Sequence, residues 1–276
     1  MRIGFVTTLL WDRYGPFWDR LARAAGADVV AADVERTTQA STDHRLEAVS
    51  GRAFRRAAAE AIALAASSDR IVVPDLNPGY DGSRGSAQDP FVADLPNALR
   101  QAVPGLPPIV GVPADLADPG METIAGRFLA EIAPPAELRR LWQTHRADAR
   151  PPRPSTAPTA WRPSDATTVA LVGQPWHLSD AVRDRLEGPA ERLISAHRTS
   201  PADLRAEGWR ADAGLAPTDA EALGAVRRFA RRGGVVRIRM VTDPESGADA
   251  WLARKASGIV RRPFETVELP PERHED

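Results

Sequence analysis

Residues 1–30, MRIGFVTTLLWDRYGPFWDRLARAAGADVV, hold one strand–loop–helix–strand unit. Ile3-Gly4-Phe5-Val6 is a short apolar run, suited to a strand buried on both faces. A loop is expected from Thr7 to Gly15. The helix is expected to open near Pro16, because proline is tolerated at the first helical position. Phe17, Leu21 and the Ala24/Ala25 pair then share one face, and Gly26 stands where a helix ends. At that spacing Phe17 and Trp18 read as core residues. Val29-Val30-Ala31 makes the second strand.

The same alternation continues. Residues 51–67 predict an Ala-rich helix with Phe54, Ala58, Ile62 and Ala65 on its apolar face. Ile71-Val72-Val73-Pro74 is a strand, followed by a polar loop over 75–89. That loop carries the turn signals Asn77-Pro78-Gly79 and Gly82-Ser83-Arg84-Gly85. A helix with Leu95, Leu99 and Val103 leads to the strand Ile109-Val110-Gly111-Val112. Two helices follow, over 122–132 and 136–145. Residues 147–166 then hold Pro151, Pro152, Pro154, Pro158 and Pro163 with no helical period, the mark of a stiff linker.

The second half repeats the first. Val169-Ala170-Leu171-Val172-Gly173 is a strand, 179–186 a helix, and Arg192-Leu193-Ile194 a second strand. Ser200-Pro201 opens a short helix in cap-then-Pro order. Thr218-Asp219-Ala220-Glu221 reads as a capping box for a helix carrying Leu223, Val226 and Phe229. The strand Val235–Arg239 follows. A further helix starts at Asp243-Pro244 and carries Ala248, Trp251 and Leu252. Asp243 and Asp180 read as helix caps. Residues 264–269 make a last strand. Strands separated by helices of this length imply parallel sheets. The expected fold is α/β, with two Rossmann-like or flavodoxin-like domains and open parallel sheets. The expected boundaries are 1–147, a linker at 148–166, and 167–276. Ligands in such sheets bind beyond the carboxyl ends of the strands, and a cleft between two domains is the default site.

Composition narrows the chemistry. The 36 basic and 37 acidic residues leave a net charge of −1, which gives no long-range pull toward nucleic acid or an anionic membrane. The arginines are spread along helices among acidic residues, as on solvated faces. No apolar run approaches the roughly 20 residues that span a bilayer. No basic segment followed by a long apolar core precedes the first strand, so a cytoplasmic protein without a signal peptide is expected. There are no cysteines, which excludes disulfides, thiol catalysis and thiolate metal sites. The chain has no G-x-G-x-x-G after the first strand, no G-x-x-x-x-G-K-[ST] and no G-x-S-x-G. Its histidines, His44, His145, His177, His197 and His274, show no metal-ligand spacing. Of these, His44, His145 and His274 read as surface residues.

Four stretches, in order, resemble the 2-hydroxyacyl-CoA dehydratase superfamily, and in particular its branch related to the dehydratase activators. Ile3–Leu9 with Tyr14-Gly15-Pro16-Phe17-Trp18 is similar to that family's opening strand, loop and "Y-P-F-W" helix. Asp89-Pro90-Phe91-Val92-Ala93-Asp94-Leu95-Pro96 resembles its "C-P-Y-V-Q-x-L-P". Val172-Gly173-Gln174-Pro175-Trp176-His177-Leu178-Ser179-Asp180 resembles "L-G-R-P-Y-N-L-Y-D". Thr242-Asp243-Pro244, with Pro263-Phe264 further on, resembles "C-G-P … P-F-L". The departures are systematic. By this resemblance three cluster-ligating cysteines fall at Ser50, Asp89 and Thr242. The family's two loop arginines become Thr7 and Gln174. Its acidic and His residues after the last strand become Pro270, Pro271 and Glu272.

The resemblance implies radical dehydration of an acyl-CoA, with an iron–sulfur cluster carrying the electron. Oxygen ligands are poor substitutes for thiolate in a [4Fe–4S] site, so no cluster and no other cofactor is expected. Two functions remain. One is a cluster-free, non-redox protein that binds a small molecule, acyl-CoA-like by resemblance, or serves a homologous subunit as a partner or regulatory half. Its ligand-binding candidates are Trp11, Tyr14, Ser50, Asn77, Gln174, Trp176 and Thr242, with Asp75, Tyr80 and Asp243 on neighbouring loops. The other is an enzyme of lyase or hydrolase type with metal-independent acid–base chemistry in the interdomain cleft, with Asp89 and His177 as its candidate catalytic pair. Oxygen ligation of a metal by Asp75, Asp81 and Asp89 is a weaker third reading.

Overall fold

A computed structural model describes residues 1–80, 89–117, 120–150, 166–196 and 199–269. The turn signals at 82–85, the prolines at 151–163, Asp81, His197, His274 and residues 270–272 lie outside them. The chain divides into two compact units, Met1–Gly79 with Pro90–Pro152, and Tyr80–Asp89 with Arg153–Asp276. A 3₁₀ turn spans Arg146–Asp148.

Each unit carries a four-stranded, all-parallel sheet, so the expected Rossmann-like or flavodoxin-like α/β class is the observed one. The first contains β1 (Arg2–Phe5), β2 (Asp28–Val30), β3 (Arg70–Asp75) and β4 (Ile109–Pro113), in the order β2-β1-β3-β4. The second contains β5 (Thr167–Gly173), β6 (Glu191–Ser195), β7 (Arg237–Thr242) and β8 (Phe264–Glu268), in the order β6-β5-β7-β8. The two orders are the same topology used twice. In both, the chain steps outward from the first strand and then returns across it to the third. The reversal puts a switch point at the carboxyl ends of β1 and β3 in one unit, and of β5 and β7 in the other.

Helix α1 (Trp11–Ala24) begins five residues before Pro16 and encloses it, contrary to expectation. Proline there removes only one hydrogen bond, and long-range contacts set the start of the helix. Tyr14 is fully buried and its hydroxyl donates to Val6 O at 2.7 Å. Burial, with the nearby Glu60 charge, raises the phenol's pKa well above its usual value. Phe17 and Trp18 are core residues, packed with Phe5, Leu21 and Phe128.

Helix α2 (Val34–Ala40) was not foreseen. Helix α3 (Arg52–Ala65) was, but its face differs: Phe54, Ala57, Ala58, Ala61 and Leu64 are buried, while Ile62 and Ala65 are half-buried. Glu60, an isolated acid in the alanine run, is only 4% exposed. Its carboxylate accepts from the amides of Thr7 and Thr8 and from the Thr7 hydroxyl at 2.7–3.0 Å, and so fixes the loop after β1. Helices α4 (Pro90–Ala93), α5 (Leu95–Ala102), α6 (Met121–Ala130) and α7 (Pro135–His145) complete the unit.

In the second unit α8 (Asp180–Leu186) covers one sheet face. Val169, Leu171, Leu193 and Val241 pack there with Val182 and Leu186. The alternate residues Ala170, Val172, Ile238 and Met240 face a larger core, built with α9 (Pro201–Trp209), α10 (Pro217–Arg231) and α11 (Gly247–Ile259). This alternation is that of strands buried on both sides. Ser179 caps α8, so Asp180 is its first helical residue rather than its cap. The expected capping box at 218–221 is not formed. Ala216 is the N-cap and Pro217 takes the first helical position, which carries Thr218 and Asp219 into the first turn. Helix α11 starts at Gly247 rather than Asp243, because Ser246 accepts from Asp249 N–H and ends the preceding turn. Among the described residues no helix is long and apolar enough to cross a membrane.

Arg239 donates to Glu191 at 2.8 and 3.0 Å and to Glu265 at 2.6 Å, at the amino side of the second sheet. Glu207 binds Arg210, Arg227 and Arg231 at 2.7–2.9 Å. The hydrogen bond from Arg239 lowers the pKa of Glu191, and that from Arg227 lowers the pKa of Glu207. A depressed carboxyl pKa contributes stability that is complete above the unfolded value, about 4.3 for Glu, and lost as pH falls through the folded one. The melting temperature of the chain is therefore expected to fall as the pH drops below about 4. The slope of that fall should be shallower in a Glu191→Gln/Glu207→Gln double variant, measured by circular dichroism. Equal slopes would show that these pairs contribute nothing.

Candidate functional site

Trp11, Tyr14, Asp75 and Asn77 of the first unit make contacts within that unit. Trp11 and Tyr14, expected in a loop, stand in the first turn of α1. The Trp11 indole lies across Gly15 and meets Phe5 and Tyr14 edge-on, with ring centroids 5.6 and 5.7 Å away. Asn77 is 1% exposed, and its side-chain amide donates to Val92 O at 2.6 Å, tying the loop after β3 to α4. Asp75 Oδ1 accepts from Asn77 N–H at 3.3 Å. Ser50 is half-buried just ahead of α3. Of the stretch Tyr80–Asp89, grouped with the second unit, Tyr80 is half-buried and Asp89 buried. His44 is an exposed surface residue, and His145 stands at the end of α7.

The second unit gathers polar side chains at its switch point. Gly173 ends β5 so close to β7 that a Cβ there would stand 2.9 Å from Val241 O. A 3₁₀ turn, Pro175–His177, follows with Gln174 as its N-cap. Gln174 is 0% exposed and His177 2%, while Trp176 between them is half-buried with its ring edge-on to the imidazole at 5.9 Å. The Gln174 amide nitrogen donates to Asp219 Oδ1 at 2.6 Å, in the first turn of α10. His177 Nε2 lies 2.8 Å from Asp249 Oδ2, in the first turn of α11, and the same oxygen accepts from Asp243 N–H at 2.8 Å.

Asp249 sits where a capping-box acid would turn back to the N-cap amide. That amide, Ser246 N–H, instead donates to Asp243 O at 3.0 Å, and the carboxylate is left for His177. The carboxylate bonded to His177 is thus Asp249, which was not among the candidates read from the sequence. Asp243 is 2% exposed and accepts from Glu245 N–H, closing a turn rather than capping α11. Thr242 ends β7, half-buried, with its hydroxyl 3.5 Å from Val267 O.

Two buried polar atoms in this turn have no hydrogen-bond partner, Gln174 Oε1 and His177 Nδ1. A buried polar atom left without a partner costs about 1–3 kcal/mol, so such atoms call for an explanation. His177 is oriented as a base would be. With Nε2–H donating to Asp249 Oδ2, which already accepts the Asp243 amide, the lone pair of the imidazole falls on Nδ1. A hollow lined by Leu186, Glu191, Arg237, Arg239, Glu265 and Val267 lies at the amino side of the same sheet. Open α/β sheets bind ligands at the other side, and the two guanidiniums on β7 are already engaged by carboxylates.

Ser50, Asp89 and Thr242 supply two hydroxyls and a carboxylate, a donor set that does not fit a [4Fe–4S] cluster. Among the described residues no group of three or more His, Asp or Glu side chains could hold a metal ion. Asp249 and Glu60 were missed in the sequence. The available signals were a Ser-x-x-Asp start to α11 and a single acid inside an alanine run. In comparisons with protein-family models, curated proteins and solved structures, nothing matches this chain.

Proposed function

We propose that this chain is a cluster-free, 2-hydroxyacyl-CoA dehydratase-like protein that binds a small molecule without redox chemistry. The second unit would do so at the carboxyl ends of β5 and β7, and the protein would act alone or as the partner half of a homologous subunit. One observation carries this reading. Gln174 and His177, side chains of one buried turn at a switch point, are held from behind by Asp219 and Asp249, and each keeps one acceptor unpartnered. The four-motif resemblance and the repeated open-sheet topology support it.

Native mass spectrometry of the protein taken from its own cells tests it. A retained small molecule or second polypeptide is expected, and a retained small molecule should be lost in a Gln174→Ala/His177→Ala variant that still folds. Stoichiometric iron and a brown colour in an anaerobic preparation would overturn the cluster-free reading.

The His177–Asp249 pair favours a second reading, acid–base chemistry of lyase or hydrolase type. There His177 Nδ1 would take the proton and Asp249 would hold the imidazole. Conversion of the retained molecule by wild type, abolished in His177→Gln, would support it. A molecule that comes off unchanged from both would leave binding alone.

A further inference from the structure

We infer that the ligand of this turn presents N–H or O–H donors to Gln174 Oε1 and His177 Nδ1, and is therefore a hydroxyl-, amide- or ammonium-bearing small molecule rather than an anion. The inference rests on the ligand-binding reading above and sharpens it. Both open atoms are acceptors, and each is made so by its neighbour. Asp219 Oδ1 accepts from the amide nitrogen of Gln174 at 2.6 Å, so the amide oxygen is left over. Asp249 Oδ2 already accepts Asp243 N–H at 2.8 Å, so the hydrogen on the His177–Asp249 contact belongs to Nε2 and Nδ1 is bare.

The two side chains stand in the same turn, closed by His177 N–H donating to Gln174 O at 2.9 Å. A phosphate, carboxylate or thioester carbonyl would set lone pairs against lone pairs there. A donor facing each atom would satisfy it. The family resemblance by itself points the other way: it puts an arginine at Gln174 and a phosphate-rich acyl-CoA as the ligand.

Histidine ¹⁵N NMR on the full chain reads Nδ1 directly. In the free protein at neutral pH, His177 is expected to show a protonated Nε2 and a bare Nδ1. The probes are three donor compounds, each paired with its methylated form: ethane-1,2-diol with dimethoxyethane, acetamide with dimethylacetamide, and methylammonium with tetramethylammonium. Acetyl-CoA and inorganic phosphate are the anionic arms. At least one donor compound should shift the His177 Nδ1 signal saturably, and its methylated form should bind about tenfold more weakly, the worth of one good hydrogen bond. The pair that responds identifies the donor as hydroxyl, amide or ammonium. Gln174→Met should weaken the same probe about tenfold. A proton found on Nδ1 in the free protein would overturn the inference, as would a shift produced by acetyl-CoA or phosphate alone. A donor probe that binds without moving His177 also overturns it and leaves the ligand-binding reading in place. If no probe binds and no molecule is retained from cells, both fall.

Discussion

Gly224→Ala should lower the stability of the second unit by about 3 kcal/mol or more, the upper end of what overpacking costs. A Cβ on Gly224 would stand 1.9 Å from Leu204 O and 3.0 Å from Gly208 N, and one on Gly208 would stand 2.0 Å from Ala220 O. Helices α9 and α10 thus touch backbone to backbone through two glycines, with no flexible side chain to yield. Making room means moving α10, which carries Leu223, Val226 and Phe229 into the core. Gly258→Ala is the control. Gly258 also lies in a helix, α11, but has nothing within 4 Å of its would-be Cβ. There alanine should stabilise by about 0.5–1 kcal/mol through helix propensity. Urea unfolding followed by circular dichroism measures both. A loss under about 1 kcal/mol at Gly224 would contradict the close approach of the two helices.

Removing the Asp249 carboxylate is the second large effect. Asp249→Ala strands two buried donors, His177 Nε2–H and Asp243 N–H, each now 2.8 Å from Oδ2. An unpaired buried donor costs about 1–3 kcal/mol, so a loss of about 3 kcal/mol or more is expected. Asp249→Asn keeps the shape and one acceptor oxygen and should cost less. Pairing Asp249→Ala with His177→Leu should recover part of the loss, because the donor and its missing acceptor then disappear together. A double-mutant cycle in urea reads the coupling, expected at about 1–3 kcal/mol. Additivity of the two changes would mean the hydrogen bond contributes nothing to stability. In that event Asp249 would have no positioning role for His177.

What could be read from the chain was what local chemistry decides. Ile71–Pro74 and Val169–Gly173 are runs too short and too apolar to be anything but strands buried on both sides, and they are β3 and β5. Ser200-Pro201 ends its loop as a cap because a hydroxyl two or three residues ahead of an amide can reach it unaided. Helix starts failed where distant groups outvoted these signals. Pro16 lost to the Tyr14–Val6 and Glu60–Thr7 contacts, the latter spanning 53 residues. The capping box at 218 lost to Pro217, one residue earlier. Strand β7 slid to 237–242, and its parallel pairing with β5, Val169 opposite Arg237, set that register rather than its own hydropathy.

The site shows the same division. Gln174 and His177 were legible as loop residues after a strand, and their side chains do face polar partners. Their partners were not legible. Asp249 lies 72 residues from His177 and Asp219 lies 45 from Gln174, each on a helix whose start the sequence had misplaced. By itself the sequence determined the alternation of strand and helix, the doubled parallel-sheet plan and the lack of any thiolate, because these depend on residue type and short-range periodicity. Only the tertiary structure decided which carboxylate meets which polar side chain. Those contacts are made where two strand ends converge, and convergence is a property of sheet order and register that no stretch of the chain carries alone.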